Sequence, residues 1–298
     1  MNQTEIKQLA EKHGLGIEES SIKINESGLD FRVAHGKDAS GDKWILRIPR
    51  RADSLKHGRR EKAALEVIRN QVRFQVPHWE IFSEELIAYK QLSGVPTATI
   101  DMEKQAYVWT FDENHAPEAY HKSLGRVMAD LHSLSTDHLA KTGVDMLSSE
   151  AIREQMAERM NSVKEQFQIN PVLWQRWQTW LNNDALWPKF SGVKHGDLHP
   201  GHILINEQAE VTGLIDWTEV SVGDVSYDFT AHYQIFGEDG LEKLIQAYQN
   251  AGGRTWSGMK EHIIELHAAS PILVAEFALS SGIEEMHEMA KQQLAAEE

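Results

Sequence analysis

The chain contains, at residues 195–217, the stretch that decides its fold: His195-Gly196-Asp197-Leu198-His199-Pro200-Gly201-His202, then Ile203-Leu204-Ile205, a turn at Asn206-Glu207, and Val211-Thr212-Gly213-Leu214-Ile215-Asp216-Trp217. The two apolar runs predict antiparallel strands joined by a tight connection. Such a hairpin places His202 and Asp216, at its outer ends, close together, and the polar loop before it faces the same point. Ligand-type side chains gathered on a rigid support are typical of a metal and catalytic site.

The residue types of this loop leave more than one chemistry open. His195, Asp197, His199 and His202 lie within eight residues and are compatible with a Zn²⁺ hydrolase site or with a hydrogen-bonded structural loop. We interpret His195 and His199 as structural residues that hold the loop through backbone hydrogen bonds. A metallohydrolase does not explain the spacing of Asp216 or the strand-rich first part of the chain, so it is the weaker hypothesis.

The spacing resembles a known catalytic motif. His-Gly-Asp is followed by His202 five positions after Asp197 and by Asp216, within Ile-Asp-Trp, nineteen positions after it. This resembles the catalytic loop and the metal-binding aspartate of the protein-kinase-like antibiotic phosphotransferases. The resemblance implies that Asp197 orients the substrate hydroxyl and accepts its proton, and that His202 and Asp216 hold Mg²⁺ at the nucleotide phosphates. Most such enzymes have asparagine where this chain has His202, and imidazole is a softer ligand than an amide oxygen.

The motif as written, with histidine at position 202, resembles the macrolide 2′-phosphotransferases in particular. Their N-terminal pattern is similar to Glu26-Ser27-Gly28-Leu29-Asp30-Phe31-Arg32-Val33 and to Trp44-Ile45-Leu46-Arg47-Ile48-Pro49-Arg50-Arg51. Together the motifs span roughly residues 24 to 228 in the expected order. The resemblance implies a bilobal kinase-like fold, GTP as the phosphate donor and the 2′-hydroxyl of a macrolide's amino sugar as the acceptor.

The pattern along the chain predicts an α+β fold with a β-rich N-terminal lobe and a mostly helical C-terminal lobe. Strand-like runs and one helix, near residues 59–71, occupy residues 21–110. The polar connector at residues 112–115 predicts a boundary, with a nucleotide-binding lobe over residues 1–111 and a helical lobe over residues 112–298. Helices are predicted around residues 124–131 and near 148–168, 170–182, 225–235, 239–251, 257–269 and 271–281.

The nucleotide site is predicted in the first lobe. Ser27 and Gly28 form the candidate phosphate loop, although one glycine is also typical of an ordinary turn. Arg47 occupies the place of the expected lysine on the third strand, and a solvated basic strand end is the alternative. Its partner carboxylate would be Glu61 rather than Glu66. The residues expected to contact the nucleobase lie at a hinge that includes Val108, Trp109 and Thr110.

The acceptor pocket is predicted on the C-terminal helices, where a macrolide requires a broad apolar surface. The candidate side chains are Phe229, Tyr233, Ile272, Val274 and Phe277, and each is also compatible with plain core packing. An aromatic stripe at positions 174, 177 and 180 is interpreted as packing. Asp224 is expected to cap the following helix, and Asp228 is expected to brace the catalytic loop.

The net charge, the absence of cysteine and the lack of a long apolar stretch restrict the kinds of partner expected for this chain. The chain has 298 residues, 45 acidic and 30 basic, for a net charge of −15, and this acidity argues against a nucleic-acid binder. There is no cysteine, so disulfides and thiolate-bound metals are excluded. The polar first residues and the short apolar stretch at residues 271–279 lead us to expect a cytoplasmic protein without a membrane partner. We expect a monomer.

The sequence therefore predicts a macrolide kinase that uses GTP and Mg²⁺. Two alternatives remain. The first is a kinase of an aminoglycoside, choline, homoserine or a sugar, whose pocket would need more carboxylates and hydroxyls than the C-terminal helices offer. The second is a silent protein that binds an antibiotic or a nucleotide, against which the Asp197 and Asp216 pair argues.

Overall fold

The computed structural model describes residues 1–26, 30–101 and 106–296. The chain divides into two compact units. The first unit contains Met1–Thr110, Asp137–Val144 and Pro200–Val220, and the second contains Phe111–Thr136, Asp145–His199 and Ser221–Glu298. The second and third segments of the first unit lie, in sequence, within the lobe predicted for residues 112–298.

The strands are short and are numbered here in chain order. They are β1 (Lys23–Asn25), β2 (Phe31–Lys37), β3 (Lys43–Pro49), β4 (Ile81–Phe82), β5 (Ile87–Lys90), β6 (Val95–Pro96), β7 (Ala98–Asp101), β8 (Ala106–Trp109), β9 (Gly192–Lys194), β10 (Ile203–Ile205), β11 (Val211–Leu214) and β12 (Ser221–Gly223). The two strands of the predicted hairpin are confirmed as β10 and β11, and β1 to β8 lie within residues 21–110, which were predicted to be strand-rich.

The helices are numbered in the same way. They are α1 (Gln3–Lys12), α2 (Ala52–Ile68), α3 (Glu118–His132), α4 (Thr136–Leu139), α5 (Ser149–Gln166), α6 (Pro171–Asn182), α7 (Tyr227–Asn250), α8 (Met259–Ala268), α9 (Pro271–Ser281) and α10 (Glu284–Ala295). Helix α2 begins at Ala52 rather than near residue 59, and α1 and α10 were not predicted.

The first unit is built on an antiparallel sheet with the strand order β1-β2-β3-β5-β4. Side chains alternate between the two faces of a strand. From β3, Trp44, Leu46 and Ile48 join one buried cluster with Ile6 and Ala10 of α1. Ile45 and Arg47, at the intervening positions, therefore belong to the opposite face. This alternation directs Arg47 away from the α1 core.

The hairpin of β10 and β11 belongs to the first unit because β10 also pairs with β6, with Leu204 opposite Pro96. A close approach at Gly94, just before β6, permits this pairing. A Cβ atom there would lie 2.7 Å from Thr212 Oγ1 and 2.9 Å from the Ile205 carbonyl oxygen, and the φ angle is +101°. Glycine accommodates both the contact and the left-handed backbone.

The second unit is mostly helical. Helices α5, α6, α8, α9 and α10 contribute to one buried apolar cluster, and Trp177 and Trp180 are 0% and 1% exposed within it. Trp174 packs against the cluster from a partly buried position. The interpretation of the aromatic stripe as packing is therefore confirmed. Helix α7 runs through both segments predicted at 225–235 and 239–251, with a non-helical residue at Gly237 between them.

One segment, Met259–Ser281, is long and apolar enough by composition to cross a membrane, but a third of its most apolar window is buried in the protein. It consists of α8 and α9, and Pro271 occupies the first turn of α9. Ile263, Leu266 and Ile272 are at most 4% exposed. Core helices of this kind pass the same length and composition test, so the segment is weak evidence for a membrane span.

Candidate functional site

The loop that carries Asp197 is held by its backbone in the second unit. The backbone N–H groups of His195 and Gly196 donate to Asp228 Oδ2 and Oδ1, both at 2.8 Å. The N–H of Asp197 donates to His195 Nδ1 at 3.3 Å, and His195 is fully buried. The predicted bracing by Asp228 and the structural role of His195 are confirmed. Asp197 itself is exposed.

Asp228 is buried at the start of α7, where it also contacts His132 Nε2 at 3.0 Å. Burial alone would raise the pKa of Asp228, but the hydrogen bond from His132 and the nearby charges of His132, His195 and Lys194 together lower the pKa below its ordinary value. An ionised carboxylate accepts all three bonds, so Asp228 is an anchor for the loop.

Asp224 does not cap α7 as predicted. Its Oδ1 accepts from the N–H of Ser226, which precedes α7, and α7 has no side-chain cap. Its Oδ2 lies 2.7 Å from His262 Nε2. Asp224 therefore joins the loop before α7 to α8, because its second oxygen is committed to an imidazole rather than to helix N–H groups.

His202 and Asp216 lie close together in the first unit, as the hairpin predicts. His202 Nε2 and Asp216 Oδ2 are 3.7 Å apart, and the N–H of Ile215 donates to the His202 carbonyl oxygen at 3.0 Å. Two ligands that each lie about 2.1 Å from one Mg²⁺ are separated by roughly 3–4 Å. Imidazole and carboxylate at this spacing fit a divalent cation, and the nitrogen ligand makes the pair softer than an all-oxygen Mg²⁺ site.

Asp216 adopts a left-handed backbone conformation with φ of 60°. Among non-glycine residues, aspartate tolerates this region comparatively well because its short side chain can hydrogen-bond locally. Here Asp216 Oδ1 accepts from Thr218 Oγ1 at 2.9 Å. Backbone strain of this kind clusters at functional sites, so the geometry marks Asp216 as a residue whose orientation is fixed.

Arg47 and Glu61 form the predicted ion pair. Arg47 Nη1 donates to Glu61 Oε1 at 2.7 Å, and the two side chains are 9% and 1% exposed. Burial raises the pKa of Glu61, and the Arg47 guanidinium offsets part of that effect. Burial disfavours the charge of Arg47, yet the Glu61 carboxylate raises the Arg47 pKa above its ordinary value. The role of this pair in phosphate binding remains a prediction.

Glu61 also connects Arg47 to the segment after Asp216. Its Oε1 accepts from the N–H of Trp217 at 3.3 Å, and its Oε2 accepts from Thr218 Oγ1 at 3.4 Å. Thr218 therefore donates toward both Glu61 and Asp216. Sequence reasoning missed this residue, and its position two residues after Asp216 was the only signal available.

A cavity of about 360 Å³ in the first unit brings several of these residues together. Arg47, His202 and Asp216 line it with the apolar residues Val33, Ile45 and Leu204. After β5 the chain contributes Gln91, Leu92 and Gly94 to the lining. The predicted phosphate-loop residues Ser27 and Gly28 lie outside the described residues.

The predicted hinge residues do not line this cavity, and their contact with a nucleobase remains a prediction. Val108 and Trp109 belong to β8, which pairs with β7, and Thr110 donates twice to the Thr97 carbonyl oxygen. The cavity is lined instead by the segment after β5, from Gln91 to Gly94. The pairing of β5 with β3 sets Ile87 opposite Arg47 and Tyr89 opposite Ile45, and the N–H of Gln91 donates to the Lys43 carbonyl oxygen. This long-range pairing brings the segment after β5 to the cavity that Arg47 lines.

The predicted acceptor residues fall into two groups in the second unit. Phe229 and Ile272 are 0% and 1% exposed, so they are core residues that shape the unit without a surface for a ligand. Tyr233 and Val274 are partly buried, and Phe277 is 39% exposed. Glu276, beside Phe277, accepts two hydrogen bonds from Arg159, each at 2.7 Å. On α9, Leu273 and Leu279 are also exposed, at 50% and 43%. The acceptor role of the five predicted residues remains a prediction.

Comparison with known proteins identifies the family. The model of the phosphotransferase enzyme family matches residues 21–262. The chain belongs to this family. A Bacillus subtilis relative, the uncharacterized protein YcbJ, is 40% identical over 291 residues, which cover 98% of this chain and 95% of YcbJ.

Solved structures of phosphotransferases share the fold. Macrolide 2′-phosphotransferase MphH from Brachybacterium faecium, as the apoenzyme, has a TM-score of 0.94 and 34% identity, with 99% of this chain and 98% of MphH covered. A macrolide 2′-phosphotransferase type I has a TM-score of 0.91 and 36% identity, with 99% and 97% covered. The predicted kinase-like fold is confirmed, and the chain is a phosphotransferase that acts on a hydroxyl.

Proposed function

We propose that this phosphotransferase inactivates macrolide antibiotics by moving the γ-phosphate of GTP to the 2′-hydroxyl of their amino sugar. One observation carries the proposal: a macrolide 2′-phosphotransferase matches 99% of the chain at a TM-score of 0.94. The relation extends over both units, and its 34% identity is well above that of proteins that share a fold alone. We also propose that the enzyme is a cytoplasmic monomer.

Residues of the first unit would hold the donor. Arg47, kept in place by Glu61, offers its remaining N–H groups to the α- and β-phosphates in the cavity that it lines. His202 and Asp216 would hold Mg²⁺, which when bound neutralises charge on the nucleotide phosphates. Thr218 and the left-handed backbone fix the direction of the Asp216 carboxylate. Gln91 to Gly94 would then contact the nucleobase.

Asp197 would act on the acceptor. Its carboxylate is exposed and follows directly after the two residues whose N–H groups bind Asp228. A carboxylate in this position orients the 2′-hydroxyl for attack on the γ-phosphorus and accepts its proton as the new O–P bond forms. The bond between the γ-phosphorus and the β,γ-bridging oxygen breaks in the same step, and GDP leaves. Little covalent chemistry is needed from the protein, so its contribution is positioning and charge stabilisation.

The acceptor would lie along the exposed part of α9 and its neighbours. Phe277, Val274 and Tyr233 provide the accessible apolar surface, and Phe229 and Ile272 support it from the core. Apolar contact suits the lactone ring, whereas a carboxylate suits the protonated amine of the sugar. Glu276 is a carboxylate at this position whose orientation Arg159 fixes.

The direct test is a product assay. The purified protein is incubated with GTP, Mg²⁺ and an erythromycin-type macrolide, and the drug is analysed by mass spectrometry. We expect a monophosphorylated drug with the phosphate on the 2′-oxygen. A parallel panel contains an aminoglycoside, choline, homoserine and a sugar. An unchanged macrolide together with a phosphorylated member of the panel would refute the macrolide assignment and keep the phosphotransferase.

Replacing Asp197 with alanine tests the proposed chemistry. We expect Asp197→Ala to lower kcat by at least a factor of about 100 because proton acceptance and orientation are lost together. GTP affinity should remain within about twofold, since the donor residues lie elsewhere. The control is Asp239→Ala, which removes an exposed carboxylate of the second unit. Near-native turnover by Asp197→Ala would contradict the mechanism.

A further inference from the structure

Three buried side chains of the second unit form a hydrogen-bonded relay that ends at the catalytic loop. Tyr248, His132 and Asp228 are 1%, 8% and 1% exposed. The Tyr248 hydroxyl lies 3.1 Å from His132 Nδ1, and His132 Nε2 lies 3.0 Å from Asp228 Oδ2. Asp228 in turn accepts from the N–H groups of His195 and Gly196, directly before Asp197.

The direction of each bond follows from its neighbours. The ionised Asp228 carboxylate has no proton to donate, so it accepts a hydrogen bond from His132 Nε2. With Nε2 donating to Asp228, His132 can accept a hydrogen bond from the Tyr248 hydroxyl at Nδ1. Every member is satisfied, and one tautomer of His132 fits the whole relay.

Tyr248 packs closely against two glycines, Gly253 and Gly125. A Cβ atom at Gly253 would lie 2.4 Å from carbon atoms of the Tyr248 ring. A Cβ atom at Gly125, on α3, would lie 2.6 Å from the Tyr248 backbone nitrogen. Neither approach is compatible with any other residue type, so Tyr248 is confined on two sides. A confined donor holds the His132 ring in one orientation.

We propose that His132 and Tyr248 are positioning residues for phosphoryl transfer, because they fix the Asp228 carboxylate that holds the backbone of the loop before Asp197. The inference rests on the role proposed above for Asp197. Neither residue needs to touch a substrate. Their loss would let Asp228 rotate away from one of its two N–H partners and move Asp197 out of line with the acceptor hydroxyl, which costs rate rather than binding.

The second unit also contains a matched relay that serves as a control. Trp180 Nε1 donates to His262 Nδ1 at 3.1 Å, and His262 Nε2 lies 2.7 Å from Asp224 Oδ2. His262 and Asp224 are as deeply buried as His132 and Asp228. The oxygens of Asp224 bind His262 and the N–H of Ser226. Damage to this relay therefore measures what the loss of a buried aspartate–histidine pair does in general.

The test compares Tyr248→Phe, His132→Asn, His132→Gln and His262→Asn by kcat, KM and melting temperature. We expect His132→Asn to lower kcat at least tenfold with both KM values within twofold. The glutamine variant, whose amide N–H reaches about as far as Nε2, should recover kcat to within threefold of the wild type. We expect Tyr248→Phe to lose about threefold. His262→Asn should lower the melting temperature about as much as His132→Asn does, but it should keep kcat within twofold of the wild type.

Amide hydrogen exchange gives a second readout that requires no acceptor. In His132→Asn and in Tyr248→Phe the N–H groups of His195 and Gly196 should exchange at least tenfold faster, and in His262→Asn they should not. If exchange rises as expected but no macrolide is phosphorylated by any variant or by the wild type, the proposed acceptor fails and the relay stands. Unchanged exchange, or equal kcat losses in His132→Asn and His262→Asn, would overturn the positioning role.

Discussion

Arg47 shows how one residue can replace the lysine expected on the third strand. Its guanidinium carbon lies 4.4 Å from the ring centre of Phe31 and 5.4 Å from that of Trp79. Glu61 binds one edge of the same group at 2.7 Å. A planar cation suits two aromatic rings and a carboxylate at once, and the compact ammonium of lysine does not. The chain around Arg47 is therefore built for a guanidinium.

We predict that Arg47→Lys is not a conservative change. The KM for GTP should rise roughly tenfold, which corresponds to about 1.4 kcal/mol, and the free energy of unfolding should fall by about 1–2 kcal/mol because the aromatic contacts are lost. Steady-state kinetics and urea unfolding measure both quantities. Lys43→Arg, at the exposed start of β3, is the control and should change neither. An Arg47→Lys enzyme with native KM would show that Arg47 does not contact the donor.

At the scale of elements, two histidine side chains are buried where α3 packs against α7. Among the described residues, neither forms an ion pair with a carboxylate. His121 and His232 are each 5% exposed, their ring centres are 5.2 Å apart, and both Nε2 atoms are buried without a hydrogen-bond partner among the described residues. Burial, followed by the proximity of His121, lowers the pKa of His232 to about 3. Burial also lowers the pKa of His121. Both rings are therefore neutral where the two helices meet.

This packing predicts that acid destabilises the helix pair. His232 remains neutral in the folded protein, whereas an unfolded histidine binds a proton below about pH 6.5. The contribution is complete above that pH and is lost as the pH falls toward 3. As the pH falls from 6 to 4.5, the unfolding free energy should decrease by about 2 kcal/mol because unfolded His232 binds a proton and folded His232 does not. Urea unfolding at several pH values should show a flatter dependence for His232→Leu, and exposed His115→Asn should match the wild type. Parallel curves for His232→Leu and the wild type would contradict this account.

At the scale of the whole molecule, the net charge of −15 must be reconciled with a nucleotide substrate. Three of the acidic residues have identified contacts. Glu61 binds Arg47, Asp216 lies close to His202, and Asp228 binds the backbone of the loop before Asp197. The remaining surface charge favours a cationic acceptor over long range and disfavours free nucleotide. Arg47 and a divalent cation would compensate for that repulsion locally.

Ligand binding should therefore stabilise the molecule in a pattern that the fold predicts. Mg²⁺ with GDP at about 100 times Kd should add about 2.7 kcal/mol to the unfolding free energy. Hydrogen exchange should slow at Gln91–Gly94 and around His202 and Asp216. The segment from Val108 to Thr110 should not change. Asp216→Asn should lose the part of the stabilisation that depends on the metal. Protection at Val108–Thr110 instead would restore the hinge predicted from sequence.

The limits of sequence reasoning are visible at particular residues. The proximity of His202 and Asp216 was predicted from the hairpin pattern, because a tight hairpin is a local rule. Asp197 and the pairing of Arg47 with Glu61 were predicted from the resemblance to the phosphotransferase motifs. The place of Gln91 in the cavity lining was not predicted, because it depends on which strands pair. Thr218 was marked only by its position two residues after Asp216, and His132 and Tyr248 gave no signal. Their roles depend on contacts between residues that lie far apart in the chain, such as His132 and Tyr248.

The sequence by itself determined the family-specific loop, the order of strands and helices, and the side chains that can perform the chemistry, because these depend on residue type and short spacing. The tertiary structure decided which of them meet. It assigned Phe229 and Ile272 to the core, moved the cavity lining to the segment after β5, and joined Tyr248 to the catalytic loop through His132 and Asp228. The physical reason is that burial and pairing are set by long-range packing, which no local pattern of residues encodes.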